Sequence, residues 1–463
     1  MSVALHREWP SYRTMWRWHF YAGILCLPLV IFLSMTGAIY LFKPQVEAYL
    51  DGPYDRLGNT DSPRPLSEQV RAVLDRHPEA KTVQVELPVD DRGATRVLLR
   101  EGANNIKVYV HPSSLEILGA RNEDAALMRQ IRRLHGQLGI GTWGSYLVEL
   151  IASWTIVLIL TGVVLWWPRN TNSLGGVLYP RWNKGSRIWW RDIHSVIGIW
   201  VSFFAVFLIA TGLPWAKFWG SYFQTLRGVS GLSSETQDWT VGGVMATVAA
   251  GRGSHEGHGG DSKADAAKEG SSAKASGRKG GRSGGAPIPR DLSGFDQALR
   301  VARSEALPAP VLLTPPTPGS QAWKVASETQ NRPLRQTLSI DAATGEIQSR
   351  EGFGDKHWID RMVGIGIAAH EGQLFGIVNQ AIGLMATLGL TALAASGLWM
   401  WWKRRSPGKL GVPEPLQHAP MAWGVWLIVM LLGIAMPLFG VSVACVGVLD
   451  RWLQSRRRRT ETA

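Results

Sequence analysis

The stretch His370–Arg405, HEGQLFGIVNQAIGLMATLGLTALAASGLWMWWKRR, opens on a histidine and continues as a long apolar run. It closes with Ser-Gly, two tryptophans and a basic cluster. The same design occurs earlier as His135–Arg169, HGQLGIGTWGSYLVELIASWTIVLILTGVVLWWPR. The interval from His135 to Gly162 equals the interval from His370 to Gly397. A histidine that a fixed helical length holds at one end of an apolar run indicates a binding site.

Apolar residues are concentrated in runs, although the mean hydropathy of the whole chain is only −0.02. The runs are about 20–42, 146–167, 196–215, 375–402 and 421–448. The first four are long enough to cross a hydrocarbon core of about 30 Å as helices. Tryptophans cluster at their ends, where amphipathic rings prefer to lie. Glu149 is an exceptional charge inside the second run, since charges are costly there. The sequence therefore predicts an α-helical membrane protein in a lipid bilayer.

The net charge of +13 would suggest nucleic-acid binding in a soluble protein. Here the basic residues are concentrated in the short N-terminal arm and in the loops after the second and fourth runs. By the positive-inside rule these segments are cytoplasmic, so 43–145 and 216–370 face outside. We therefore predict no nucleic-acid partner. The two cysteines, Cys26 and Cys445, lie inside apolar runs and predict no disulfide framework.

The order of apolar and polar segments divides the chain into spans, outer modules and loops. Both outer modules have the pattern of small α/β units, a helix followed by strands, with Ser67 as the expected cap of the first helix. The predicted segments are a cytoplasmic arm (1–18), a first span (19–42), an outer module (43–127), a second span with an outer extension (128–167), a cytoplasmic loop (168–193), a third span (194–215), an outer linker (216–290) with a low-complexity tract (251–285), a second outer module (291–355), a fourth span with an outer extension (356–402), a cytoplasmic loop (403–420), a last apolar segment (421–450) and a basic tail (451–463).

These segments predict a duplication: span, outer module and span, twice over. The interval from His19 to Gly37 equals the interval from His194 to Gly212. Parallel repeats predict a pseudo-twofold axis along the membrane normal. Such an axis brings His19 to His194 on the cytoplasmic side, the inner pair, and His135 to His370 on the other, the outer pair. Two opposed neutral imidazoles are the axial ligand set of a b-type haem, so we predict two haems.

Other residues near the four histidines are candidates for contacts with the haems. Gly23 and Gly198 lie one helical turn after His19 and His194, and would give a porphyrin room to approach. The same glycines would equally suit close helix packing. The candidates to hold haem propionates are Arg17 and Arg191 inside and Arg132 and Arg133 outside. For these arginines, topology and lipid headgroups are the competing explanation.

The depth of the outer pair and the course of the last run stay open. An unbroken helix from His370 to Trp402 would rise about 48 Å, placing the outer pair at or above the surface unless glycines break it. The last run is either a fifth span or a hairpin broken at Pro437, which would return the basic tail to the cytoplasm. His255 and His258, in the low-complexity tract, suggest a solvated linker or a loose metal contact.

The chain resembles the PepSY-associated transmembrane family, iron-regulated inner-membrane proteins of bacteria. The resemblance lies in WHFYAGI with Thr36-Gly37, DIHSVIGIW with Thr211-Gly212, HEGQLFG, and SGLWMWWKRR. It implies PepSY-like outer modules in the periplasm, two b-type haems, and reduction of a ferric siderophore or another Fe(III) chelate. No G-x-G-x-x-G follows a predicted strand and precedes a helix, and no P-loop motif is present, so electrons would come from a quinol or a cytoplasmic reductase. A homodimer is compatible with this pattern.

Three functions remain in competition at this point. The first is a di-haem oxidoreductase that reduces an Fe(III) complex between the two outer modules. The second is a non-haem transporter for a siderophore or metal, which would carry ionisable residues at mid-membrane. The third is a regulatory membrane protein whose outer modules bind peptides.

Overall fold

The computed structural model describes residues 11–58, 62–90, 92–168, 173–232, 286–317, 320–341, 343–408, 411 and 423–461. The low-complexity tract with His255 and His258 lies outside these ranges. In chain order the helices are α1 (Tyr12–Leu41), α2 (Lys43–Asp55), α3 (Leu66–Arg76), α4 (Leu127–Gln137), α5 (Thr142–Trp166), α6 (Ser186–Gly212), α7 (Lys217–Val229), α8 (Ser293–Glu305), α9 (Trp358–His370), α10 (Ile377–Arg404), α11 (Trp423–Ala435) and α12 (Pro437–Glu461). The strands are β1 (Thr82–Glu86), β2 (Thr95–Glu101), β3 (Asn104–Val110), β4 (Ile117–Asn122), β5 (Val311–Thr314), β6 (Trp323–Ser327), β7 (Gln336–Ile340) and β8 (Ile347–Gly352).

Among the residues described, four helices are long and apolar enough to cross a membrane: α1, α5, α10, and α6 with the 3-10 turn Leu213–Trp215 that extends it. α1 packs against α5 and α10, and α6 packs against the same two helices. The four helices therefore close a ring in which α1 lies opposite α6. The predicted α-helical membrane protein is confirmed, and an antiparallel sheet completes it.

Glycines break both predicted outer extensions into separate helices. Between α4 and α5, Leu138, Gly139 and Gly141 adopt positive φ. Between α9 and α10, Gly372 and Gly376 do the same. Because the left-handed region suits glycine and ends a helix, His135 and His370 each lie in the last turn of a short helix, not on a continuation of the span. One unbroken helix from His370 to Trp402 is therefore excluded.

The two outer modules share one sheet. Its eight strands run in the order β4-β3-β2-β1-β5-β6-β7-β8, and the seam is an antiparallel pairing of β1 with β5. α3 and α8 pack together on one face, and one hydrophobic core includes residues of both modules. Paired strands and a common core fill the seam between the two modules, so the seam itself leaves no space for the predicted Fe(III) complex. α3 begins at Leu66, and Pro65 precedes it, so the prediction that Ser67 caps this helix is wrong. Ser67 lies inside the first turn, and its backbone N–H donates to the carboxylate of Asp296.

Buried ion pairs fasten the outer domain and the helices beneath it. Arg227 on α7 donates two hydrogen bonds, of 2.8 and 2.9 Å, to the fully buried carboxylate of Asp360 on α9. α9 ends at His370, so this pair fixes the helix that carries a predicted ligand. On the sheet face opposite α3 and α8, the buried Lys107 donates to Glu86 at 3.0 Å, and the buried Arg96 lies beside the same carboxylate.

The last apolar segment folds as a helical hairpin in the residues described. α11 ends at Ala435 and α12 begins at Pro437, and a Cβ added to Gly433 would lie 3.3 Å from the Gly440 Cα. Residues two turns apart in one helix lie roughly 10 Å apart, so the chain reverses at Met436. Aromatic donors hold the tip: Trp219 donates to the Ala435 carbonyl at 2.9 Å and Tyr222 to that of Ile434 at 3.1 Å. Of the two alternatives, the hairpin is the one observed.

Candidate functional site

The four predicted ligands meet as two opposed imidazole pairs inside the helix ring. His19 on α1 and His194 on α6 face one another with ring centroids 6.3 Å apart and planes at 89°. His135 on α4 and His370 on α9 form the outer pair, with centroids 6.4 Å apart and planes at 71°. Each pair takes one histidine from each half of the chain.

Each histidine is held by a recurring motif, Leu-x-x-Thr/Ser-Gly, on a neighbouring helix. His19 Nδ1 lies 3.0 Å from Thr161 Oγ1, and His194 Nδ1 lies 3.1 Å from Ser396 Oγ. His135 Nδ1 lies 3.1 Å from Thr36 Oγ1, and His370 Nδ1 lies 3.0 Å from Thr211 Oγ1. In every case the leucine carbonyl of the motif also accepts from the imidazole; these are Leu158, Leu393, Leu33 and Leu208. We call each such motif a socket.

The sockets fix both the tautomer and the direction of each ring. Each socket hydroxyl donates to a carbonyl of its own helix, as Thr161 does to Val157 at 2.7 Å. Its oxygen is thus an acceptor for the imidazole, like the leucine carbonyl beside it. Two acceptors at Nδ1 require the proton on Nδ1, which leaves Nε2 as an unprotonated ligand turned away from the socket.

The socket glycine makes room for the imidazole. A Cβ added to Gly162 would lie 3.2 Å from His19 Cε1, and one added to Gly397 would lie 3.3 Å from His194 Cε1. At the outer pair, Gly37 and Gly212 are equally close to His135 and His370, at 3.1 and 3.2 Å. These contacts are tighter than a side chain normally makes, so only glycine lets the ring approach the helix.

The spacing of each pair fits a metal ion between two rings. A first-row metal binds an imidazole nitrogen at about 2.0–2.1 Å. Two such bonds in line place the centroids roughly 6 Å apart, since each centroid lies about 1 Å behind its nitrogen. The observed 6.3 and 6.4 Å match this distance. Neutral imidazoles with Nε2 free are also the donor set that haem iron takes, so the residues present fit the predicted group.

The two pairs lie at different depths of the same ring of helices. On α1, His19 belongs to the inner pair, and Thr36, nearer the other end of the helix, holds His135 of the outer pair. The helical rise from His19 to Thr36 is about 25 Å. Because Thr36 lies within α1, the outer pair is level with the last two turns of the span and not above it.

The candidate glycines face protein. A Cβ added to Gly23 would meet Leu158 at 3.8 Å, and one added to Gly198 would meet Leu393 at 3.4 Å. Both leucines supply socket carbonyls. Gly23 and Gly198 therefore let α1 and α6 pack closely on the helices that orient their own histidines.

The candidate arginines differ in their surroundings. Arg191 donates to Asp192 at 2.7 Å, and its side chain is 60% exposed, so a neighbouring carboxylate already engages it. Arg17 lies over Tyr21, 6.0 Å from the ring centroid. Of the outer two, Arg132 is half-buried and Arg133 is exposed.

Sequence reasoning missed Arg404 and the role of the sockets. Arg404 lies 4.9 Å from the Trp16 centroid and is an electrostatic neighbour of both His194 and Arg187. Its position two turns beyond Gly397, on the same helix face, was the available signal. The four Leu-x-x-Thr/Ser-Gly repeats were equally visible, but the sequence alone does not say that each one serves a histidine of another helix.

Comparison with protein families gives one finding that covers most of the chain. The family model for the PepSY-associated TM region matches residues 16–404, which include all four histidines and their sockets. A comparison with curated proteins gives no match.

Proposed function

Because the chain belongs to the PepSY-associated transmembrane family, we propose that it is a di-haem b oxidoreductase of a bacterial inner membrane. In this proposal electrons enter near the inner pair and leave from the outer pair to a ferric chelate, such as a ferric siderophore, on the periplasmic side. The observation that carries it is the presence of two imidazole pairs with metal-sized gaps, each ring oriented by its own socket.

The residues of the chain would perform three tasks in this function. The four Nε2 atoms would hold the iron of the two haems: His19 with His194, and His135 with His370. The sockets hold the Nδ1 protons and so keep every ligand neutral and aimed at its partner. A haem held in this way supplies a one-electron Fe(III)/Fe(II) couple. The apolar ring around both pairs would exclude water from them.

A duplicated architecture and its membrane orientation belong to the same proposal. The sockets support duplication, since in each half the first span holds the histidine that precedes the second span, and the second span holds the histidine of the first. The basic residues after α5 and α10 support a cytoplasmic face there, with the sheet in the periplasm. The hairpin of α11 and α12 supports a basic tail that returns to the cytoplasm.

The proposed donor is a quinol or a cytoplasmic reductase, and the proposed acceptor is an Fe(III) chelate. One-electron reduction would release the iron, because Fe(II) binds such chelators poorly. The acceptor would dock where the outer pair lies nearest the sheet, since the seam between the two halves of the sheet is filled.

Haem content of the purified full chain tests the proposal. We expect two b-type haems per chain and a low-spin spectrum that changes on reduction with dithionite. Replacing any of the four histidines with alanine should remove one haem and leave the other. His77→Ala and His357→Ala are matched controls and should retain both. A chain that binds no haem when expressed with excess haem would refute the proposal.

Vesicles test the direction of electron flow. A reductant enclosed inside, with an Fe(III) chelate and a colorimetric Fe(II) chelator outside, should give colour with the wild-type chain in its cellular orientation and not with His19→Ala. Uptake of the intact chelate by a haem-free chain would favour the transporter hypothesis instead.

A further inference from the structure

Glu149 is a buried carboxyl inside the membrane domain with one oxygen unused. It lies on α5 and is 2% exposed. Its Oε2 accepts the backbone N–H of Trp219 at 3.0 Å, and the N–H of Phe218 also donates to the carboxyl group. Its Oε1 has no hydrogen-bond partner among the residues described. Burying a carboxylate at this depth costs free energy, so such a group is expected either to be neutralised or to be retained for a function.

No cation neutralises this carboxyl within the described part of the chain. Its bonds come from amides at the N-terminus of α7, which favour negative charge without supplying a countercharge. Lys217, on the same turn of α7, uses its backbone N–H to bind Ser145, and Tyr222 donates its hydroxyl to Ile434. No acidic or basic side chain comes from residues 196–212 of α6, from helix α11, or from residues 437–449 of α12. The exposed thiol of Cys445 is the one titratable group in these three segments. Other titratable or charged groups at this end of the bundle include Tyr146 on α5 itself, Cys26 and Tyr40 on α1, Lys43 and Glu47 on α2, Arg132, Arg133 and His135 on α4, His370 on α9 and Glu371 at the C-terminal end of α9.

Glu149 lies close to the level of the outer pair. The stretch of α5 from Glu149 to Gly162, the inner socket glycine, is shorter than the stretch of α1 from His19 to Thr36. The difference in helical rise places Glu149 about 6 Å, roughly one turn, inward of the outer histidines. A short protein path joins the two: the Trp215 ring lies 6.0 Å from that of His370, and Trp219, four residues later in the first turn of α7, donates its backbone N–H to Glu149.

We propose that Glu149 binds a proton when an electron arrives at the outer pair. This inference rests on the function proposed above. The donor supplies one electron, the carboxylate takes one proton from the outer solution, and the sum of the two leaves the buried region with unchanged charge. The unused Oε1 receives the proton, while Oε2 keeps its bonds to α7. In a medium of low dielectric constant, a negative charge added to the same buried region favours protonation of a carboxylate.

The pH dependence of the two midpoint potentials tests this inference. In wild-type protein, the potential of the outer couple should fall as pH rises, by up to about 59 mV per pH unit for one proton per electron. The inner couple should depend less on pH. Glu149→Gln keeps an oxygen that can cap α7 but cannot ionise, so it should abolish the slope of the outer couple and retain both haems. Ser145→Ala, which removes the other contact to α7, is the matched control and should keep the wild-type slope.

The outcomes separate this inference from the proposed function. Wild-type protein that binds no haem refutes the function. Protein with two haems whose outer slope is unchanged in Glu149→Gln refutes only the role of Glu149. If Glu149→Gln does not accumulate, the wild-type redox-induced infrared difference spectrum decides. A carboxyl C=O band that appears on reduction and shifts in D₂O supports the role, and no such band overturns it.

Discussion

If the proposed haems bind at the two histidine pairs, replacing a socket glycine should remove one haem and reveal which histidines share it. In Gly162→Ala the new Cβ would lie 3.2 Å from His19 Cε1, so the ring must retreat by roughly 0.3–0.5 Å to reach an ordinary contact. Metal–ligand distances tolerate about 0.2 Å, so the alanine variant should weaken binding at the inner pair. Gly162→Val places methyl groups inside the volume of the ring and should abolish binding there. The expected haem content therefore falls from two per chain toward one.

Four valine variants, compared by haem content and by redox titration, make this prediction sharp. Gly162→Val and Gly397→Val should lose the same haem, because His19 and His194 belong to one pair. Gly37→Val and Gly212→Val should lose the other. Gly228→Ala, where an added Cβ meets nothing within 4 Å, is the control and should keep both. If Gly162→Val and Gly37→Val lost the same haem, the pairing across the two halves would be wrong.

Three further predictions concern the ring planes, the α7–α9 ion pair and the charged face of the sheet. Perpendicular imidazole rings would leave two orbitals of the inner haem iron nearly degenerate. The electron paramagnetic resonance spectrum of the oxidised inner haem should therefore be a highly anisotropic low-spin signal. A signal typical of parallel rings would contradict the 89° angle. Asp360→Asn leaves the buried Arg227 guanidinium without its partner and should cost about 3–5 kcal/mol. It should lower the thermal unfolding temperature and release the outer haem before the inner one; equal loss of both haems would refute the role of this pair in positioning α9. Burial alone would raise the pKa of Glu86, but Lys107 and Arg96 hold it below its usual range. The stability that this carboxylate contributes is therefore present above its unfolded-state pKa and is lost as pH falls through its folded-state pKa. Glu86→Gln should therefore reduce the loss of unfolding free energy that the outer domain shows as pH falls. An unchanged dependence of the unfolding free energy on acid pH would show that Glu86 contributes nothing.

The sequence predicted the spans and the histidine pairs because both depend on local pattern. Long apolar runs identify α1, α5, α6 and α10 with little ambiguity. The matching of His19 with His194 followed from equal spacings in the two halves. The apolar pattern therefore predicts the four spans, and the spacing of the four histidines predicts how they pair.

The rest depends on contacts between distant segments. The breaks at Gly139–Gly141 and Gly372–Gly376 separate each histidine-bearing helix from the span that follows it, and composition does not state where the separated helix packs. The pairing of β1 with β5 joins strands from opposite halves of the chain, so the strand pattern of each module alone suggested two separate units. The sockets were missed for the same reason: each serves a histidine on another helix.

The crossed pairing also sets an order of assembly during synthesis. The sockets of His19 and His135 lie on α5 and α1, so the first two spans contain both of these histidines and their sockets but neither partner histidine. The partner of His19 needs the segment Leu393–Gly397 for its own orientation, and the partner of His135 is residue 370. Neither pair is complete until most of the chain has left the ribosome, so a product truncated before residue 370 would lack His370 and the socket of His194, and neither of the proposed haem sites would be complete.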